Sequence, residues 1–243
     1  MGHKAQVFGH RGSRATHPEN TIAAFQHAMD AGADGIEFDV TVSRDNVLVV
    51  THDLVHAGVP VRSLEWAHWS ATFPRIEQVL QLNGSRQFVF DIEMKSDSAH
   101  PQWTPEPTEF AEILIRAIGA ADMRGNCIVR SFDSRMLRAA RRCDSALRLA
   151  LLYEDARVNT IAEACELGVQ IVSPEKRLIR PELVREAHSA GLQISAWTVN
   201  APDEWDRLTA LGVDTIITDD PAALVRHYAC FSASGPTTGS TTD

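Results

Sequence analysis

The chain is poor in cysteine, and its four, Cys127, Cys143, Cys165 and Cys230, stand far apart in apolar segments. That spacing excludes a cysteine metal motif and a dense disulfide framework, and predicts reduced, buried thiols in a cytoplasmic protein. No long run of lysine and arginine is present and the formal net charge is -9, which argues against a nucleic-acid partner, because a nonspecific binder needs a basic face. No apolar run approaches the roughly 20 residues that cross a bilayer, so stable membrane insertion is not expected. The opening residues lack the apolar core of a signal peptide and strand-like sequence begins at residue 6, so secretion is not expected either. The last twelve residues, 232–243, are rich in Ser, Thr and Gly and read as a flexible tail.

What remains is a domain over 1–231. A chain of 243 residues has a common length for one (β/α)8 barrel and enough material for a full core. Strands are predicted at 6–9, 35–40, 47–51, 88–94, 126–131, 147–152, 169–173, 192–198 and 214–218. Helices are predicted at 20–31, 75–82, 109–120, 134–143, 160–167, 181–190 and 202–211. Strand alternating with helix implies an α/β fold whose parallel sheet carries its helices outside. Gly32, Gly168, Gly191 and Gly212 each sit where a helix turns back toward the next strand. Nine strands compete for eight barrel places, and the segment 41–46 is too short for a helical crossover, so one strand must be an extra or a hairpin partner.

The chemistry gathers on four strands and their ends. His10-Arg11-Gly12 follows the first. In Ile36-Glu37-Phe38-Asp39-Val40 the alternation puts Glu37 and Asp39 on one face and the apolar residues on the other, and His52-Asp53 ends the next run. In Phe90-Asp91-Ile92-Glu93-Met94-Lys95 the acids and the lysine again share a face. Acids inside a buried strand are costly unless a cation compensates them, and oxygen ligands of this kind suit a hard divalent ion. Two imidazoles beside such a centre suit acid/base work at a barrel rim.

With Phe8-Gly9-His10-Arg11-Gly12, Pro18-Glu19-Asn20-Thr21, Gly35-Ile36-Glu37-Phe38-Asp39, Val50-Thr51-His52-Asp53, Glu93-Met94-Lys95, Ser131-Phe132-Asp133, Ala196-Trp197-Thr198-Val199-Asn200 and Ile217-Thr218-Asp219-Asp220-Pro221 in this order, the chain resembles the glycerophosphodiester phosphodiesterase family, among the phospholipase-C-like phosphodiesterase barrels. The resemblance spans about residues 7–224. It implies a TIM-type (β/α)8 barrel in which His10 and His52 are the catalytic acid/base pair, Glu37, Asp39 and Glu93 hold one divalent cation (Mg2+ or Ca2+, or Mn2+), and Arg11 and Lys95 hold the phosphate. Trp197 would line the pocket on the leaving-group or glycerol side. The implied reaction is metal-dependent hydrolysis of a small glycerophosphodiester to glycerol 3-phosphate and an alcohol. Which histidine begins as base is left open, as are the headgroup and the oligomeric state. The alternatives are a lysophospholipase-D-like hydrolase of lipid phosphodiesters and a non-catalytic barrel that binds phosphorylated ligands.

Two segments depart from the family pattern. After Asp53 the polar Asp-Arg-Thr-Thr stretch of relatives is replaced by Leu54-Val55-His56-Ala57-Gly58-Val59-Pro60, expected to lead quickly into a helix. The segment 96–107 is too rich in proline and polar residues for regular structure and is expected to form a lid or specificity loop on the catalytic rim. His17, His27, His56, His68, His100, His188 and His227 are expected to be ordinary histidines without acidic partners. Trp66, Trp69 and Trp205 are expected to pack; Asn20 is expected to cap the first helix, its closeness to His10 leaving a secondary site role open; Lys176 and Arg177 are expected to be solvated, although their place at a strand end would also let either meet a phosphate.

Overall fold

The computed structural model describes residues 4–82, 88–156 and 159–233. Its strands are β1 (Gln6–His10), β2 (Gly35–Val42), β3 (Leu48–Val50), β4 (Val55–His56), β5 (Val59–Pro60), β6 (Val89–Met94), β7 (Cys127–Ser131), β8 (Arg148–Tyr153), β9 (Ile171–Pro174), β10 (Gln193–Ala196) and β11 (Thr215–Thr218). Its helices are α1 (Ile22–Asp30), α2 (Trp66–Trp69), α3 (Ile76–Leu80), α4 (Pro107–Ala120), α5 (Ser134–Cys143), α6 (Thr160–Leu167), α7 (Pro181–Ser189), α8 (Pro202–Leu211) and α9 (Pro221–Ala233). Parallel pairing runs β1-β2-β6-β7-β8-β9-β10-β11 and returns to β1, so eight strands close into a barrel with no free edge. No helix among the described residues is long and apolar enough to cross a membrane.

The ninth strand is β3. It pairs antiparallel with β2, Val40 opposite Val50 and Val42 opposite Leu48. The connecting turn is closed by Ser43, whose hydroxyl accepts from the Val47 amide, and by Asn46 in the left-handed region at φ 63°. A hairpin in place of a helical crossover keeps His52 beside the strand that carries the acids, and the Thr51 amide donates to the Asp39 carbonyl at 3.1 Å.

Alternation sorts the side chains into two layers. Ile36, Phe38, Val40 and Val42 of β2 face outward into the main core with Phe25 and Ala28 of α1. Inside the ring, Phe8, Val89, Ile128, Ala150, Ile171 and Ile217 form a separate apolar plug on which Trp197 packs. Gly35 makes room for that plug, because a Cβ there would meet the Val89 carbonyl oxygen at 2.7 Å and the Phe8 ring at 2.9 Å. Above the plug the interior turns polar. The Arg130 guanidinium donates to Asp91 through two nitrogens and reaches the hydroxyls of Ser173 (3.4 Å) and Ser195 (3.5 Å), with Arg130 and Asp91 both fully buried.

Several expectations need correction. Thr21, not Asn20, caps α1, its hydroxyl accepting from the Ala24 amide at 3.2 Å. The segment after His52 forms the β4–β5 hairpin, turned at Ala57 and Gly58 (φ 48° and 81°), and then a 3-10 turn before the short α2. Only Cys127 is buried, its thiol pushed up to about 12 by burial, whereas Cys143, Cys165 and Cys230 are exposed on helices. His100, His188 and His227 do have acidic partners: Asp97, three residues before His100 in the same loop, and Asp214 and Asp206, which sequence separation conceals. Trp69 and Trp205 are buried as expected, and Trp66 packs partly buried against the Val49, Val61 and Trp69 cluster, with the Arg75 guanidinium 5.2 Å above its ring. Gly32, Gly168, Gly191 and Gly212 all take positive φ as expected. Helix α9 runs through Ala233, and the rest of the expected tail lies outside the described residues.

Candidate active site

The predicted residues meet at the carboxyl-terminal mouth of the barrel. In register, His10 of β1 lies opposite Glu37 of β2, and Asp39 opposite Glu93 of β6. The chain then turns sharply at Arg11 (φ 51°) and Gly12 (φ 85°). Gly12 is required there, because a Cβ would come within 2.7 Å of the Ala24 backbone. The turn folds Arg11 back over the mouth. Its amide donates to Glu37 Oε2 at 3.2 Å, its guanidinium to Glu19 Oε1 at 2.8 Å, and its Nε stands 3.2 Å from Asp39 Oδ2.

Glu37, Asp39 and Glu93 are buried and each offers an oxygen within 4.8 Å of the others. Oxygens on opposite sides of a Mg2+ or Ca2+ ion stand about 4–5 Å apart, so one ion fits this donor set. Protein groups compensate the acids unevenly. Lys95 donates to Glu93 Oε1 at 2.7 Å and lies 3.6 Å from Asp39 Oδ1. Burial pushes Asp39 upward, but Lys95, Arg11, His52 and the Asn20 amide together hold it below the ordinary carboxylate range. Glu37 is pushed well above that range, first by burial and then by Asp39, Glu93 and Asp91, with Arg130 offsetting only part. Burial also raises Glu93, against the pull of Lys95. An acid that the protein's own cations leave uncompensated is the expected state of a site built for a further cation.

Both imidazoles are oriented by carboxylates at Nδ1. His10 Nδ1 is 2.7 Å from Asp219 Oδ1, and His52 Nδ1 is 2.8 Å from Asp53 Oδ1. The first pairing is held firmly: Asn200 Nδ2 donates to Asp219 Oδ2 at 2.7 Å, the Asp219 amide donates to Asn200 Oδ1 at 2.9 Å, and Arg14 stands at 3.5 Å. A carboxylate at Nδ1 favours the tautomer that carries hydrogen there and directs Nε2 away. That leaves Nε2 as the ring nitrogen able to exchange a proton.

These groups bound a cavity of about 220 Å³. His10, Arg11, Glu37, His52, Glu93 and Lys95 come from the β1, β2, β3 and β6 side, and Phe132, Leu152, Glu154 and Trp197 from the β7, β8 and β10 side. Trp197 is fixed by its indole N–H, which donates to the Ser173 carbonyl at 2.8 Å. Asp39 sits behind the surface under Arg11, Lys95 and Asn20. A larger hollow of about 340 Å³ beside Tyr153, Asn159 and Arg180 contains none of the predicted residues. Lys176 and Arg177 also stay outside the cavity, Arg177 being paired with Glu175. No residue of the segment 96–107 lines it; that segment holds a 3-10 turn, Pro101–Trp103, with His100 stacked on Trp103.

Sequence reasoning gave one neighbour of the chemistry, Asn20, only a secondary site role, and missed three others, Asp219, Arg130 and Glu154. Asn20 is buried at φ 57° with its amide on Asp39, so it positions a carboxylate rather than a helix end. Asp219 follows the last barrel strand at the rim position that marks His10, a signal that was present. Arg130 alternates inward on β7 opposite Glu93 in register, and Glu154 follows the end of β8.

Residues 10–223 match the model of the Glycerophosphoryl diester phosphodiesterase family. A glycerophosphodiester phosphodiesterase of Caldanaerobacter subterraneus subsp. tengcongensis is 32% identical over 245 residues, covering 91% of this chain and 97% of that protein. Among solved structures, a glycerophosphodiester phosphodiesterase of Parabacteroides distasonis superposes with a TM-score of 0.84 at 24% identity, over 96% of this chain and 100% of that one. An Oleispira antarctica phosphodiesterase in complex with the product sn-glycerol-3-phosphate has a TM-score of 0.81 at 18% identity, over 93% and 97%.

Proposed function

The chain belongs to the glycerophosphoryl diester phosphodiesterase family, and from that premise we propose that it hydrolyses small glycerophosphodiesters to glycerol 3-phosphate and an alcohol, with a divalent metal and a histidine pair. The observation that carries this reading is the convergence of two carboxylate-oriented imidazoles, two buried acids and two cations on one cavity, with the third acid, Asp39, directly behind them. The sn-glycerol-3-phosphate bound to the Oleispira antarctica enzyme accords with the product assigned here.

Glu37, Asp39 and Glu93 would hold the cation, which when bound supplies positive charge to a non-bridging phosphate oxygen. Arg11 and Lys95, at the edge of the triad, set further positive charge against the charge that develops on the phosphoryl group. One imidazole removes a proton from the attacking hydroxyl through Nε2, and the other gives its proton to the departing alcohol oxygen as the P–O bond breaks. In a glycerol diester the hydroxyl beside the ester oxygen is the internal nucleophile, and its attack leaves a cyclic phosphate. The two imidazoles, their protonation exchanged, then activate water and protonate the ring oxygen, so phosphate remains on glycerol. Asp219 and Asp53 keep Nδ1 of each ring out of this exchange.

A coupled assay for glycerol 3-phosphate over glycerophosphocholine, glycerophosphoethanolamine and lysophosphatidylcholine tests the reading. Release from the two soluble diesters is expected. Equal or faster cleavage of lysophosphatidylcholine would make the enzyme a lipid phosphodiesterase, and no turnover of any diester would leave a binding barrel. Action in the cytoplasm belongs to the same proposal and is tested by fractionating cells that express the chain.

A further inference from the structure

The wall opposite the metal triad differs chemically from the rest of the cavity. Phe132 and Trp197 meet edge to face, 5.5 Å between ring centres at 85°, and form an aromatic corner. The buried Leu152 makes the floor beside it, and the exposed Glu154 stands at its rim. Among the described residues Glu154 makes no ion pair, and Arg177, which feels its charge, is bound to Glu175 at 2.8 Å instead. A diester phosphate seated by Arg11 and Lys95 must send one of its two substituents across the mouth onto this wall. A polyol needs paired donors and acceptors, and the wall supplies none beyond the one carboxylate. Arg130, the nearest inward donor, is committed to Asp91, Ser173 and Ser195.

Aromatic faces beside a lone carboxylate suit a weakly hydrated organic cation, which gains from the ring quadrupoles and from the opposite charge at once. We propose that Phe132, Trp197 and Glu154 form the leaving-group subsite and select diesters whose alcohol carries an ammonium group. Substrate is then a zwitterion laid across the mouth, phosphate toward Arg11 and Lys95, ammonium toward Glu154. The same carboxylate disfavours an acidic leaving group. This assignment rests on the phosphodiesterase reading of the site and adds the class of alcohol.

The test compares glycerophosphocholine with glycerophosphoglycerol, whose leaving alcohol is uncharged, in the metal-loaded enzyme. The wild-type ratio of kcat/KM should favour the choline diester by about tenfold or more, and Glu154→Gln should lower that ratio about tenfold, with Phe132→Leu lowering it several-fold. An unaltered ratio in Glu154→Gln, or an equal loss on both diesters, would overturn the proposal, the latter because Glu154 would then serve the shared glycerol half. If neither diester is hydrolysed, the phosphodiesterase reading fails. Calorimetric affinities for the same two compounds then judge the subsite separately: tighter binding of the choline diester, weakened by Glu154→Gln, upholds it, and equal affinities overturn it.

Discussion

Replacing Asp219 by asparagine isolates the group that holds His10. The Asp219 carboxylate lies 2.7 Å from His10 Nδ1, is 17% exposed, and is fixed from behind by Asn200. Burial pushes its carboxyl upward, yet the hydrogen bond and charge of His10, with Asn200 and Arg14, hold it at about 2. A hydrogen bond to a charged partner is worth about 1.5–3 kcal/mol, and about 1.4 kcal/mol is tenfold in rate. When His10 becomes imidazolium during proton transfer, that bond is at its strongest, so losing the charge should lower kcat roughly tenfold to a hundredfold. KM should move less than about threefold, because no substrate contact is removed. Asparagine also offers an amide that can turn its N–H toward the ring and favour the wrong tautomer, which adds to the loss. Steady-state glycerol-3-phosphate release measures both constants, and a melting curve checks the fold, where up to about 2 kcal/mol is at stake. Since the folded value lies below the ordinary aspartate value, that stabilisation is complete above about pH 4 and disappears as pH falls through about 2. A folded Asp219→Asn enzyme with kcat within twofold of wild type would refute the role given to Asp219.

His10→Ala and His52→Ala should each lower kcat by at least about a hundredfold, whereas His56→Ala and His68→Ala, outside the cavity, should be close to silent in the same assay. Glu37→Gln should abolish metal-dependent thermal stabilisation, because a filled site binds only the folded state. In excess chelator the same variant should melt above wild type at neutral pH, since burial raises the Glu37 carboxyl and its anion opposes folding above the ordinary carboxylate range; a lower melting temperature there would contradict the electrostatics. Arg130→Met strands the buried Asp91 and should cost about 3–5 kcal/mol in urea unfolding, with Asp91→Leu added to it recovering most of the loss. A single-variant loss below about 1 kcal/mol would show that Asp91 finds another partner.

Local sequence carried the parts of this site that obey the two-residue period of a strand. Glu37 and Asp39 alternate with Ile36, Phe38 and Val40, and the same period separates Glu93 from Ile92 and Met94, so their inward placement follows from one strand each. The barrel followed from strand–helix alternation and the glycine returns, and the short 41–46 connection showed that one strand was surplus without identifying which; the antiparallel pairing of β3 with β2 does that. What stayed hidden depends on contacts distant in sequence. Asp219 meets His10 across 209 residues, where the last strand closes on the first. Asn20 looked like a helix cap because it precedes Thr21, and only the left-handed backbone at Asn20 turns its amide to Asp39. Phe132, Glu154 and Trp197 become one wall only when β7, β8 and β10 curve around the same mouth.

The central claim is that a divalent cation held by Glu37, Asp39 and Glu93 acts with His10 and His52 on glycerophosphodiesters. Chelated protein titrated with Mg2+, Ca2+ or Mn2+, while glycerol-3-phosphate release from glycerophosphocholine is followed, tests it most directly. The account predicts negligible turnover in chelator, recovery that saturates at one ion per chain, and no recovery in Glu37→Gln. Undiminished turnover in excess chelator, or full recovery in the variant, would contradict it.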